Sequence, residues 1–94
     1  MEKNLSHNKY SCHKNISWII EQDRIVLYKS NSKRKYILHY PEIALWDFLS
    51  RDIPVERIIS MLSVLMNKDL QSTENWVIGT VDNWQQKGIL IKGD

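Results

Sequence analysis

The chain holds 94 residues, of which 43% are hydrophobic and 26% charged, with a formal net charge of +2. A chain of that length builds one core and buries only about 60–65% of the surface its unfolded form exposes, which excludes a second domain. The single Cys12 excludes an internal disulfide framework and suits a reducing compartment. The most apolar stretch, Ile58 to Met66, is far shorter than the roughly 20 residues of a membrane span, and no charged-then-apolar leader with a cleavage site opens the chain, so the expected setting is soluble and cytoplasmic.

Residues 1–15 are polar without an apolar period and are expected to form a flexible N-terminal arm ahead of a domain over residues 16–94. Ser17 to Glu21 and Arg24 to Lys29 are β-branched and aromatic runs on either side of Gln22 and Asp23, which predicts a tight hairpin. Turn-prone Ser30, Asn31 and Ser32 and the basic run Lys33, Arg34 and Lys35 lead into a third strand, Lys35 to Tyr40. Side chains alternate along a strand, so Tyr36 and Leu38 share one face while Ile37 and His39 point the other way.

Pro41 suits the first position of a helix, which predicts helix over Pro41 to Ser50 with Leu45, Trp46, Phe48 and Leu49 inward. Pro54 opens a second helix whose stripe is Val55, Ile58, Ile59, Leu62, Leu65 and Met66; Met61 and Val64 widen it and predict cover on more than one side. Ser72 is the expected N-cap of a third helix running to Lys87 on a stripe of Val77, Val81 and Trp84, with Gly88 left-handed beyond its end. Ile89 to Ile91 returns to strand character. The expected fold is therefore α+β and winged-helix-like, a three-stranded antiparallel sheet followed by three α-helices.

Ile25-Val26-Leu27-Tyr28, Tyr36-Ile37-Leu38, Leu45-Trp46 with Leu49, Glu56-Arg57-Ile58-Ile59 with Leu62, and Val77, Val81 and Trp84 followed by Gly88-Ile89-Leu90 together resemble the PqqD-like family over Ile16 to Ile91. The resemblance implies a RiPP recognition element, a non-catalytic peptide chaperone of natural-product biosynthesis. Such a domain binds the leader of a ribosomally made precursor peptide and delivers it to a modifying enzyme, often a radical SAM protein in that family. His39 stands where an Asn or Asp commonly follows the third-strand Leu, and the Pro-Glu-Gly style loop of the quinone-pathway members is absent. The implication is thus the wider family and not that pathway.

The resemblance further implies that the leader adds as a strand along the free edge of the third strand, with the third helix as the opposite wall. The candidate peptide-binding residues are Lys33, Arg34, Lys35, Tyr36, Ile37 and Leu38 on one side, and Trp76, Thr80, Asn83, Trp84 and Lys87 on the other. Trp76 falls outside the apolar stripe and is the better ligand contact; Trp84 belongs to the stripe and offers an edge. The implied partners are the precursor peptide and its modifying enzyme, with no cofactor, no membrane and no nucleic acid, and the chain itself a monomer or weak dimer.

Residues 1–40 hold eight Lys or Arg against three Asp or Glu, and residues 41–94 hold five against eight, an asymmetry that favours an acidic partner along the sheet. A winged-helix nucleic-acid-binding regulator is the alternative. It is disfavoured because the third helix carries Glu74 and Asp82 against Lys87 where a recognition helix needs cations. Catalytic residues are not expected: there is no Gly-x-Ser-x-Gly turn, the three glycines (Gly79, Gly88, Gly93) build no phosphate loop, and Glu42 with Asp47, or Asp52 with Glu56, read as solvated helix surface. His7, Cys12 and His13 lack the paired spacing of a metal site.

Overall fold

The structure, a computed structural model, describes residues 10–12, 15–30 and 32–92. The elements in chain order are β1 (Tyr10–Cys12), β2 (Ile16–Glu21), β3 (Arg24–Lys29), β4 (Lys35–His39), α1 (Glu42–Ser50), α2 (Val55–Met66), α3 (Leu70–Gln86) and β5 (Leu90–Lys92). β2, β3 and β4 form an antiparallel sheet in that order, and three helices follow, so the α+β arrangement is the expected one. The β2–β3 hairpin turns at Gln22, whose φ of 53° accommodates the two-residue connection.

One sheet face, carrying Trp18, Ile25, Leu27, Tyr36 and Leu38, meets the helices. Trp46 of α1 is fully buried and is the hub of that contact. Its ring stands edge-on to Trp18 at 5.5 Å and to Trp84 at 5.6 Å, joining β2, α1 and α3 through one side chain. Leu45, Leu49, Ile58, Leu62, Val77 and Ile89 close around it. The opposite sheet face carries a cross-strand row of Ile19, Val26 and Ile37; the outer two are exposed and shield Val26 between them.

All three helices stop in the same way. Asp52, Asn67 and Gly88 take left-handed φ values of 61°, 53° and 76°, and each lets the next N–H reach back to a carbonyl in the last turn. For α3 the bonds are Gly88 N–H to Gln85 O and Ile89 N–H to Trp84 O, both 3.0 Å, the pattern that seals a helix with an apolar residue just past the glycine. Ile89 is that residue and is fully buried.

The structure departs from the sequence reading at four places. Tyr10–Cys12, expected within the flexible arm, is a strand paired antiparallel with β5, and Tyr10 is buried. Burial of that ring and the pairing of β5's backbone offset the cost of ordering the segment; residues 1–9, 13 and 14 lie outside the described residues. α3 starts at Leu70, not after Ser72: the Asp69 carboxylate accepts the Ser72 N–H at 2.9 Å and is the cap. Pro41 and Pro54 sit just before α1 and α2 and not within them. Val64 and Leu65, expected to be covered, are exposed, because α1 and α3 pack only on the Val55, Ile58 and Leu62 side of α2. Among the described residues no helix is long and apolar enough to cross a membrane.

Candidate functional site

β4 pairs with β3 on one side and, among the described residues, with no strand on the other. Which of its backbone groups face outward follows from one hydrogen bond. Lys29 N–H donates to Arg34 O at 3.2 Å, which makes Lys29 and Arg34 a hydrogen-bonded pair of the antiparallel ladder. Bonded and non-bonded pairs alternate, so Leu27 with Tyr36 and Ile25 with Leu38 are bonded, whereas Tyr28 with Lys35, Val26 with Ile37 and Arg24 with His39 are not. The N–H and C=O groups of Lys35, Ile37 and His39 therefore point to the open edge. They form a row of three donors and three acceptors that a further strand can pair with.

α3 stands across from this edge, held by α2 on one side and β5 on the other, and a groove of about 650 Å³ separates it from β4. The two elements run in opposite directions. At one end the Lys87 ammonium lies 5.4 Å from the centre of the Tyr36 ring, and Lys29 Nζ donates to Lys87 O at 3.2 Å. At the other, Tyr40 Oη donates to Leu65 O at 3.2 Å, next to the start of α3. The Asp69 carboxyl at that start is held below its ordinary range, first by the Ser72 N–H and then by the Ser72 side chain.

The structure brings nine of the eleven sequence-derived candidates into this groove. Lys35, Tyr36, Ile37 and Leu38 line the strand side, and Trp76, Thr80, Asn83, Trp84 and Lys87 line the helix side. Trp84 is buried and contributes only an edge, whereas Trp76 is half-buried and flanks the opening. Lys33 and Arg34 are exposed on the turn before β4, outside the lining. Glu42, Asn75, Gly79 and Ile89 line the groove as well, although the sequence reading did not include them. Helical steps of three and four from Asn83 and Thr80 lead to Gly79, Trp76 and Asn75, so the periodicity that selected Trp76 was a signal for two of them.

Gly79 presents no side chain, and a Cβ there would meet nothing within 4 Å, so the helix wall dips at its middle. Of the carboxylates weighed as acid–base pairs, Asp47 pairs with Arg51 at 3.3 Å and Glu42 lines the groove. Among the described residues no group of three or more His, Cys, Asp or Glu side chains gathers as a metal site; His7 and His13 lie outside them. Comparison of the chain with protein-family models, with curated proteins and with solved structures finds no match in any of the three.

Proposed function

We propose that this domain is a non-catalytic, cytoplasmic carrier. It captures the leader of a ribosomally made precursor peptide as an added strand on β4 and delivers it to a modifying enzyme, with a radical SAM protein as the first candidate. The observation that carries the reading is the unpaired edge of Lys35, Ile37 and His39 facing an open groove walled by α3. Main-chain bonds along that edge supply grip without demanding a sequence, and the side-chain wall supplies choice. Each net bond contributes about 1 kcal/mol, so four to six of them with one or two apolar anchors reach micromolar affinity after ordering costs, a strength suited to delivery and release. The acidic residues Glu74 and Asp82 on α3 run against the alternative of nucleic-acid recognition through this helix.

The test uses dodecapeptides recovered by display selection on the folded protein. Each is resynthesised with N-methyl groups on alternate residues in two offset sets. One set should abolish binding, because it blocks the N–H groups aimed at β4, while the other set binds. Amide resonances of Lys35 to His39 and Trp76 to Lys87 should move on titration. Equal binding of both methylated sets, or shifts confined to other residues, refutes strand addition.

A further inference from the structure

The groove beside β4 does not end at Trp76. A second hollow of about 540 Å³ adjoins that ring, lined by Tyr40, Pro41, Leu65 and Met66 together with Lys68 and Ser72, so that Trp76 is a wall common to both. Tyr40 and Leu65 are among the most exposed large apolar side chains of the domain, and the hollow lies where β4 would lead a paired strand onward. The opposite end of the groove is the more cationic. Lys35 and Lys87 line it there, Lys33 and Arg34 stand on the adjoining turn, and the one carboxylate among the described lining residues, Glu42, sits at the Trp76 end.

Resting on the strand-addition reading above, we propose that the guest is polarised. It carries a large apolar residue that fills the Tyr40–Trp76 hollow and an Asp or Glu that meets Lys35 and Lys87. The order of the two along the guest follows from the ladder. Antiparallel pairing is the more stable and more frequent arrangement, so a guest on β4 runs from the Trp76 end toward the Lys87 end, and the apolar residue comes first. The spacing follows from strand geometry. Tyr40, one residue beyond β4, and Lys35 at its start are five residues apart, and because guest side chains alternate at about 3.4 Å per residue, an anchor and an acid that both face α3 are separated by an even number, about four or six residues. Reversing the charge of the cationic end should therefore reverse the charge preferred at that one position and leave the anchor unchanged.

The experiment is selection of a random dodecapeptide display library on the wild-type protein and on the Lys35→Glu/Lys87→Glu variant, whose changes are at exposed positions. On the wild type, the recovered peptides should be enriched in an aromatic or branched aliphatic residue followed four or six positions later by Asp or Glu. On the variant the later position should switch to Lys or Arg, and resynthesised wild-type winners should bind it at least tenfold more weakly. Trp76→Ala should relax the apolar preference alone. Recovered peptides with the reverse order, with no fixed spacing, or with no charge switch overturn the polarity. If their binding still depends on which alternate residues are N-methylated, strand addition stands without it. A selection that enriches nothing over the starting library, or enriches peptides indifferent to N-methylation, overturns both.

Discussion

Two proline substitutions at adjacent positions of β4 separate the fold from the function. The N–H of Ile37 faces the open edge, and its side chain is 40% exposed over Val26. Ile37→Pro therefore leaves the bonds to β3 intact and should cost about 1 kcal/mol of stability, a fall in Tm of about 4–8 °C for a domain of this size. To a guest strand it denies one donor and crowds the matching acceptor. Two bonds of about 1 kcal/mol each correspond to a roughly 30-fold weaker Kd.

At Tyr36 the consequence is opposite. Its N–H belongs to the bonded pair with Leu27, whose side chain is fully buried, so Tyr36→Pro orphans a sheltered carbonyl and removes a half-buried ring. The cost is about 3 kcal/mol or more, with global loss of structure. Thermal unfolding by circular dichroism and fluorescence anisotropy with a labelled selected peptide measure the two effects. If Ile37→Pro unfolds the domain as Tyr36→Pro does, the assignment of outward and inward groups is wrong. If Ile37→Pro folds and binds peptide with unchanged Kd, the guest does not lie on this edge.

Trp46→Ala removes the fully buried hub between Trp18 and Trp84 and should cost about 3–5 kcal/mol, lowering Tm by about 12–40 °C in a calorimetric scan. Trp46→Phe should cost much less, since the indole N–H has no hydrogen-bond partner among the described residues and its removal relieves a buried donor. Gly88→Ala forces a Cβ into a φ of 76° and to 2.7 Å from Lys29 Nζ. The flexible lysine can swing aside, so the backbone sets the loss, about 1–2 kcal/mol by denaturant titration. Asp69→Ala should lower Tm at neutral pH. Because the folded-state pKa of Asp69 is depressed, its stabilisation is present above the ordinary carboxylate range and is lost as pH falls through the lowered value; the gap between variant and wild type should close there. Asp69→Asn, which caps without titrating, should lie close to the wild type at neutral pH and become the more stable of the two as the pH falls through the lowered value.

Local chemistry was enough to read much of this protein from its residues. Period-two runs around Gln22 and Asp23 mark the hairpin, and the Val77, Val81 and Trp84 stripe marks the buried side of α3. Gly88 marks a left-handed stop. The same alternation made Ile37 and His39 face away from Tyr36 and Leu38, and the helical period put Trp76, Thr80, Asn83 and Lys87 on one flank.

What sequence could not supply is what depends on partners far along the chain. Tyr10 is an isolated aromatic in a polar stretch until β5 arrives 80 residues later to pair with its strand. Val64 and Leu65 look like core until the three-helix packing leaves them exposed. Local propensity likewise cannot say that β4 is an edge, that α3 stands back from it, or that Trp76 separates two hollows, because each is a distance between elements and not a preference within one. Residue types therefore decided the elements and their apolar faces, whereas the slot between β4 and α3 exists only because α2 and β5 hold the helix from either side.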